Sequence, residues 1–275
     1  MTFRGIVPTI VAGCALLSAC DNATPARSLA PDTASRIVYG SPTGSSYAAV
    51  VLVVMDVDGV PTYACSGTLL APKVVLTAGH CVGEPGEFSG IRVFTESDVK
   101  NGNNDFPNPG TNAIEAKEWH AHPSFTEAQF ALHDVGVILL KQSVTLPSAA
   151  YGDLPDVNSL DVLRPRRSTG FTTVGYGVQR INPAQEISNW IRMSAQPYLL
   201  QINTPFTGDF SMLLSNNAST GGSCFGDSGG PNYLGTSNVI AAVTSWGLGP
   251  TCGGTGGVFR LDRADVLAFI EQYLP

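Results

Sequence analysis

The sequence predicts an all-β protein, and both its composition and its apolar pattern support that prediction. Thirty glycines and nineteen prolines among 275 residues favour many strands joined by turns over a bundle of helices. Short apolar runs recur between turn-forming residues, as expected for strands. The clearest runs are Ala48–Met55, Gly67–Leu76, Val135–Leu140 and Val239–Trp246. Only Asp262–Tyr273 has the apolar spacing of a helix, with Asp262 near its start as a cap.

Charge and length limit the class of protein. Charged residues make up 13% of the chain, and the net charge is -7. The basic residues form no stripe, so nucleic acid is not an expected partner. From Ile37 onward the chain has about 240 residues, which is enough for one all-β unit with its own core.

Residues 1–19 are expected to be a secretory signal peptide. Arg4 is followed by an uncharged apolar stretch, Gly5–Ala19, which is too short to span a membrane as a helix. Residues 20–36 are rich in Ala, Thr, Pro and Ser and are expected to form a flexible leader or propeptide. We therefore expect a secreted or extracytoplasmic protein.

Leu17-Ser18-Ala19-Cys20 resembles a bacterial lipobox, in which the cysteine is acylated and becomes the new N-terminus. Val11-Ala12-Gly13-Cys14 also matches, but it leaves a short apolar core. An acylated terminus would tether the protein, because membrane anchoring grows with the number of buried CH₂ groups. The motif predicts a bacterial protein lipidated at Cys20. The alternative is an ordinary signal peptide cleaved near Ala23.

Residues 224–231 read Cys-Phe-Gly-Asp-Ser-Gly-Gly-Pro and carry the chemistry of a nucleophile. Glycines on both sides of Ser228 let the backbone bend tightly and let a substrate carbonyl approach without meeting a Cβ. The N–H groups of Gly226 and Ser228 can then point at one spot. Paired donors of this kind stabilise the oxyanion of an acyl-transfer intermediate. Ser228 is therefore the candidate nucleophile.

A serine hydroxyl is a weak nucleophile, so this interpretation requires a histidine base and a carboxylate that orients it. His80 ends the apolar run 74–79 and stands beside Cys81. Asp134 immediately precedes the apolar run Val135–Leu140, which predicts a buried strand. His80 and Asp134 are thus the candidate base and orienting acid.

These three segments resemble the active-site segments of chymotrypsin-like and trypsin-like serine proteases. The chain order His80, Asp134, Ser228 is the order of that group. Gly79 stands where the family usually has alanine, and we expect it to loosen the backbone beside the base. The resemblance covers nearly all of the chain after Arg36.

The resemblance implies one peptidase domain, residues 37–275, built from two packed six-stranded antiparallel β-barrels. The barrels are expected at about 37–145 and 166–260, with a C-terminal helix at 262–273. Peptide bonds would be hydrolysed through an acyl-enzyme, with the oxyanion held by the amides of Gly226 and Ser228. The expected substrate is a protein or peptide, and the enzyme is expected to be a monomer. No cofactor or metal is expected.

Arg36-Ile37-Val38-Tyr39-Gly40 resembles the activation junction of the same family, with Tyr39 in place of the usual glycine. The resemblance implies that another protease cuts after Arg36 and frees the amine of Ile37. That amine would fold inward and pair with Asp227, which would lock the oxyanion loop. The sequence therefore predicts a zymogen.

The segment Ser245-Trp246-Gly247 resembles the strand that pairs with the substrate backbone. In this family the base of the primary pocket is the residue six positions before the nucleophile, which here is Gly222, with Ser223 beside it. The resemblance places the walls of the pocket at Gly247 and Gly257. Two glycine walls leave room for a large side chain, and a base without a carboxylate offers no partner to a buried Lys or Arg. We expect cleavage after Phe, Tyr, Leu or Met. A carboxylate that enters from a neighbouring strand, such as Asp262, would reverse this.

Two of the six cysteines, Cys14 and Cys20, lie in the N-terminal segment, and the remaining four allow three connectivities. The family resemblance selects Cys65–Cys81 and Cys224–Cys252. A zinc site made of these four cysteines is not expected, because no C-x₂-C spacing occurs. His120 and His122 could face one metal, but no third ligand lies near them in the sequence.

Two other functions share parts of this pattern. A catalytically silent homologue would serve as a binding or adhesion module, and its usual mark is a replaced residue among His80, Asp134 and Ser228. None of the three is replaced. An esterase acting on small ligands would use the same chemistry but would not need a strand that pairs with a peptide.

Overall fold

The computed structural model describes residues 39–182, 185–249 and 251–275. The predicted signal peptide, Cys20, Arg36 and Ile37 lie outside these residues. The strands are β1 (Ser41–Pro42), β2 (Val50–Val57), β3 (Val60–Ala71), β4 (Val74–Thr77), β5 (Gly90–Phe94), β6 (Ile114–Ala121), β7 (Gly136–Leu140), β8 (Arg166–Gly175), β9 (Arg180–Asn182), β10 (Gln185–Ile187), β11 (Met193–Ala195), β12 (Tyr198–Thr204), β13 (Gly208–Asn216), β14 (Pro231–Leu234), β15 (Ile240–Gly247) and β16 (Gly254–Arg260).

The α-helix is α1 (Ala264–Glu271), and short 3₁₀ helices occur at Gly79–Cys81, Glu127–Gln129, Ser148–Ala150 and Ser159–Val162. Within the described ranges, none of the helices has the length and apolar character needed to cross a membrane.

The strands β2 to β7 form a closed antiparallel barrel in the order β2-β3-β4-β7-β6-β5. β2 shows why this segment is extended, since five of its eight residues are valines, and β-branched side chains favour strands. Val51 and Val53 pack with Ile138 in one apolar cluster. The alternate residues Val50 and Leu52 pack in a second cluster, so both faces of the strand are buried.

The second barrel is formed by β8, β12, β13, β16, β15 and β14, and the pairing of β14 with β8 closes it. β11 extends the same sheet from β8, and β1 pairs with β11. Phe171, Leu199, Met212 and Val258 are fully or almost fully buried in its core. The structure thus confirms the predicted all-β fold of two closed six-stranded antiparallel barrels with one short C-terminal helix.

The two barrels share an apolar cluster and a set of backbone contacts centred on Ser66. The backbone N–H of Ser66 donates to the backbone oxygen of Ser228 at 2.8 Å. Its hydroxyl donates to the backbone oxygen of Gly226 at 3.0 Å and accepts the N–H of Tyr176, also at 3.0 Å. Thr77 of β4 donates to the backbone oxygen of Ser66 at 2.8 Å. One residue of the first barrel therefore holds two segments of the second.

The C-terminal helix is shorter than the predicted range 262–273, and Asp262 does not cap it. The N-cap position is Arg263, whose side chain makes no capping hydrogen bond. The carboxylate of Asp262 instead lies 2.8 Å from the guanidinium of Arg260 and accepts the N–H of Leu160 at 3.0 Å. Arg260 is fully buried, and a buried cation needs a paired anion. Asp262 therefore pairs with Arg260 and does not cap α1.

Gly229 lies at the contact between the two barrels. It adopts a φ of +77°, and an added Cβ would overlap the hydroxyl oxygen of Thr77 and lie 2.5 Å from the backbone oxygen of Ser66. We predict that Gly229→Ala lowers the free energy of unfolding by more than about 3 kcal/mol, because strain and overlap add. Gly235 is the control: its φ is +60°, but nothing lies within 4 Å of an added Cβ. Gly235→Ala should cost only about 1–2 kcal/mol.

Chemical denaturation of both variants measures the two free energies of unfolding. Equal losses in Gly229→Ala and Gly235→Ala would show that the contact between the barrels adds nothing to the cost of the positive φ.

Candidate active site

His80 and Asp134 form a hydrogen-bonded pair at one end of the first barrel. His80 lies in the 3₁₀ helix that follows β4, Asp134 lies just before β7, and β4 pairs with β7. The Nδ1 atom of His80 is 3.0 and 2.9 Å from the two carboxylate oxygens, and the backbone N–H of His80 donates to Oδ1 at 2.9 Å. A carboxylate at Nδ1 favours the tautomer with its proton there. The Nε2 atom is then left as a proton acceptor.

Ser245 completes the surroundings of Asp134. Its hydroxyl donates to Oδ2 of Asp134 at 2.5 Å, and Asp134 is fully buried. A buried carboxylate is tolerated where donors satisfy it, and here His80 and Ser245 supply them. The sequence placed Ser245 only in the substrate pocket. It missed this bond because the two residues are 111 positions apart and belong to different barrels.

The pKa of His80 is raised by its surroundings. Burial is the largest single influence and would lower the pKa, but Asp134 raises it through its charge and its hydrogen bond. Glu127 and Glu87 raise it further by charge. Sequence reasoning did not single out these two glutamates, because only the fold brings them near the imidazole. The ring is a stronger base than an isolated histidine, as a general base requires.

Gly79, beside His80, makes room for an aromatic ring. An added Cβ would lie 2.7 Å from the ring of Phe125, which is buried. The ring of Phe130 stands edge-on to the imidazole, with 6.4 Å between the ring centres. Phe125 thus packs directly against Gly79, and the expectation that Gly79 loosens the backbone stays a prediction.

Ser228 lies in the loop between β13 and β14, two residues after a glycine with a positive φ. Gly226 has a φ of +91°, which residues with a side chain rarely adopt. The N–H groups of Asp227 and Gly229 donate to backbone oxygens. In the described part of the chain, the N–H groups of Gly226 and Ser228 donate to no other residue. Among the described residues, both therefore lack an acceptor and can donate to a bound molecule.

Asp227 is fully buried behind this loop. Its carboxylate accepts the N–H groups of Gly177 and Cys224, both at 2.8 Å. Burial raises the pKa of Asp227 to about 7, although the two hydrogen bonds oppose that change. Among the described residues, no cationic side chain acts on it. Its predicted partner, the amine of Ile37, lies outside the described residues.

Both disulfides that the sequence predicted are present. Cys65–Cys81 joins β3 to the 3₁₀ helix of His80, with 6.1 Å between the Cα atoms. Cys224–Cys252 joins the nucleophile loop to the loop between β15 and β16, with 5.2 Å between the Cα atoms. Disulfides persist in oxidising environments, so the domain matures outside a reducing cytosol. Each bond braces one side of the site.

Two cavities share Ser228. The smaller, of about 260 Å³, also contains His80, Glu87 and Glu127 on its wall. In the described residues the hydrogen bonds of the His80 ring go to Asp134, and none joins it to Ser228. Catalytic hydrogen bonds often tighten only when substrate binds.

The larger cavity, of about 340 Å³, is the candidate binding pocket for a substrate side chain. None of the described residues that line it carries a charge. They are Ser223, Cys224, Phe225, Ser228, Thr244, Ser245, Trp246, Gly247, Leu248, Gly249, Cys252 and Thr255.

Gly222 and Gly257, the predicted base and one predicted wall, do not line this cavity. An added Cβ on Gly222 would overlap the carboxamide of Asn216, and one on Gly257 would overlap the indole of Trp246. Both glycines are thus covered by other side chains. Ser223, Ser245, Trp246 and Gly247 do line the cavity.

Comparison with known proteins gives a family for this chain. The family model for trypsin matches residues 39–264, which is more than half of the chain. Trypsin 5G1 of Aedes aegypti is 29% identical over 203 residues, which cover 71% of this chain and 70% of that protein. Chymase of Mus musculus is 28% identical over 170 residues, covering 61% of this chain and 64% of that protein.

Two solved structures show the same fold. HL collagenase superposes with a TM-score of 0.66 at 20% identity and covers 86% of this chain and 97% of its own. Human heparin binding protein has a TM-score of 0.62 at 20% identity, with 86% and 96% covered. With the family match and the barrels that frame Ser228, these likenesses lead to one conclusion. The chain belongs to the trypsin family and is a serine endopeptidase.

Proposed function

We propose that Ser228 is the nucleophile of this endopeptidase, His80 its general base and Asp134 the group that orients His80. The observation that carries the proposal is the pair of contacts between Nδ1 of His80 and the buried carboxylate of Asp134. These contacts leave Nε2 free, and His80 shares a cavity wall with Ser228. The three side chains offer the base, the orienting acid and the nucleophile that acyl transfer needs.

In the proposed reaction, Oγ of Ser228 attacks the peptide carbonyl while Nε2 of His80 takes the hydroxyl proton. The tetrahedral oxyanion accepts hydrogen bonds from the amides of Gly226 and Ser228, which have no partner in the described chain. The imidazolium, stabilised by Asp134, gives its proton to the leaving amine as the C–N bond breaks. Water, deprotonated by His80, then releases the acid and restores Ser228.

A catalytically silent homologue acting as a binding or adhesion module is the second candidate. A heparin binding protein shares the fold, so fold alone does not separate the two. The hydrogen bond from Ser245 to Asp134 favours catalysis, because it completes a buried carboxylate whose other partner is the imidazole. An esterase would use the same groups without the substrate-pairing role assigned to Ser245–Gly247.

A fluorophosphonate probe separates these candidates. In the protein cut after Arg36, we expect Ser228 to be labelled, because its hydroxyl is activated by His80. Ser228→Ala should abolish labelling and lower kcat by about 10⁴-fold or more. Ser223→Ala is the control, since it removes another hydroxyl from the same cavity and should keep the label. Mass spectrometry locates the label, and an unlabelled cut protein would contradict the assignment.

We further propose that the chain is a zymogen, cut after Arg36 by another protease. Asp227 supports this, because a buried carboxylate whose pKa is raised to about 7 lacks a compensating cation in the described chain. The ammonium group of Ile37 would supply that cation and hold the loop that carries Gly226 and Ser228. The expected result is an oxyanion site that becomes rigid only after the cut.

The pH dependence of stability tests the zymogen. In the uncut chain, Asp227 keeps its proton up to about pH 7 when folded but loses it near pH 4 when unfolded. Stability should therefore fall as pH rises between those values, by up to about 4 kcal/mol. Pairing with Ile37 would lower the pKa of Asp227, and the fall should vanish in the cut protein. Arg36→Gln should stay inactive and keep the fall, whereas the control Arg27→Gln should be activated normally.

Denaturation from pH 4 to pH 7 measures this difference, and peptidase assays of the same samples report activation. Activity of the cut protein should also decline at alkaline pH, as the amine of Ile37 loses its proton. Full activity of uncut Arg36→Gln would contradict the zymogen.

We propose a preference for large apolar side chains before the scissile bond. The support is the larger cavity, where Phe225, Trp246 and Leu248 supply apolar surface and no described lining residue is charged. A Lys or Arg bound there would lose its hydration without gaining a carboxylate. Asp262, the carboxylate that could have altered this, is bonded to Arg260 and does not line the cavity.

Anilide substrates test this preference. We expect a higher kcat/KM for Ala-Ala-Pro-Phe anilide than for Ala-Ala-Pro-Arg anilide. Gly247 lines the cavity, and nothing lies within 4 Å of an added Cβ there. Gly247→Val should therefore narrow the cavity and lower kcat/KM for the Phe substrate by about 10-fold, with little change for an Ala substrate. A preference for the Arg substrate would contradict the proposal.

The remaining proposals concern location and assembly. The disulfides and the family support a secreted protein. The lipobox favours a bacterial lipoprotein tethered through Cys20 until the cut after Arg36 releases the domain, since neither Cys65–Cys81 nor Cys224–Cys252 reaches back across the cut. We propose that the released enzyme acts as a monomer on protein substrates.

A further inference from the structure

Asp134 projects from a strained turn. The N–H of Val135 donates to the backbone oxygen of His133 at 2.7 Å, so the chain reverses tightly around Asp134. His133 has a φ of +55°, which is uncommon for a residue other than glycine. Such a conformation costs free energy and persists only where contacts around it hold it. The question is which contacts hold this turn.

The side chain of His133 is held from two sides. Its Nε2 atom lies 3.3 Å from Oδ2 of Asp265 in the first turn of α1. Its ring stacks on that of His122, with 4.7 Å between the centres and 15° between the planes. The turn before Asp134 is thus joined to the C-terminal helix and to the segment after β6.

His122 is itself fixed. Its Nδ1 accepts the N–H of Ser124 at 3.1 Å, and its backbone N–H donates to Val135 at 2.9 Å. The ring of Phe269 from α1 stands against it, with 5.2 Å between the centres. His122 therefore provides a rigid surface for His133.

The other charged groups near His133 either pair with a different residue or line the same cavity as His133. Asp209 and Arg263 line a cavity of about 200 Å³ together with His133 and Asp265. Arg263 is bonded to Asp161 at 2.7 Å. Within the described chain, Asp265 is the carboxylate in ion-pair distance of His133.

We propose that His133 and Asp265 are positioning residues, whose contact holds the turn so that the carboxylate of Asp134 faces Nδ1 of His80. The inference rests on the proposed role of Asp134. Neither residue touches the reacting groups. They act through the backbone of His133, which directly precedes Asp134. Small displacements of a catalytic group lower the reaction rate, because the reaction needs close alignment.

The same surroundings lower the pKa of His122. Burial is the largest cause, and the charge of His133 acts in the same direction, while Asp265 acts in the opposite direction. A lower pKa favours the neutral ring, whose Nδ1 accepts the N–H of Ser124.

Single and double variants test the proposal. We expect Asp265→Asn and His133→Asn each to lower kcat by about 10-fold with little change in KM, since alignment and not binding is lost. Asparagine at position 133 tolerates the positive φ, so the backbone is retained. The double variant should be no worse than His133→Asn, because that change already removes the contact with Asp265. Glu115→Gln is the control, since it removes a surface ion pair with Lys141.

A second readout does not need activity. The proton that His80 shares with Asp134 gives a low-field NMR signal, which we would follow against pH in a Ser228→Ala background. Asp265→Asn should broaden that signal and shift the pH at which it is lost, whereas Glu115→Gln should leave it unchanged.

An unchanged signal in Asp265→Asn, or additive losses of kcat in the double variant, would overturn the positioning role. If the protein with Ser228 intact proved inactive while the signal still responded to Asp265→Asn, the proposed function would fail and the positioning role would stand.

Discussion

The position of Ser228 depends on the backbone of Gly229, which packs against the first barrel. Gly229 fits between Thr77 and Ser66 only because it has no side chain. Ser66 also binds the backbone oxygen of Ser228. His80 comes from one barrel and Ser228 from the other, so the distance between the proposed base and the proposed nucleophile is only as constant as this contact. Backbone hydrogen bonds do not change with side-chain rotamers, which makes them a stiff link between the two units.

Two buried carboxylates on either side of this link have different surroundings. Asp134 receives hydrogen bonds from His80 and Ser245 and is complete within the described chain. Within the described residues, Asp227 receives two backbone N–H groups, and burial raises its pKa to about 7. The fold itself therefore supplies the partners of the Asp134 carboxylate, whereas the loop of Ser228 contains a buried group that a cation would stabilise.

Short-range patterns in the sequence were sufficient for much of this protein. Most of the predicted strands follow from local runs, and both disulfides follow from the family resemblance. The run Gly67–Leu76, predicted as one strand, is divided between β3 and β4. The errors arose where a side-chain contact that no local pattern specifies decided the outcome. Asp262 pairs with a buried arginine instead of capping α1, and Ser245 bonds Asp134 across the barrels. Gly222 and Gly257 are covered by side chains whose positions no spacing rule gives.

The ring of Phe125 over Gly79 couples these two positions in any redesign of this region. An alanine at position 79 would meet that ring at 2.7 Å. Gly79→Ala would therefore require Phe125 to move, although its ring is buried beside the segment that carries His80. A side chain at position 79 thus needs a smaller residue at position 125 in the same step.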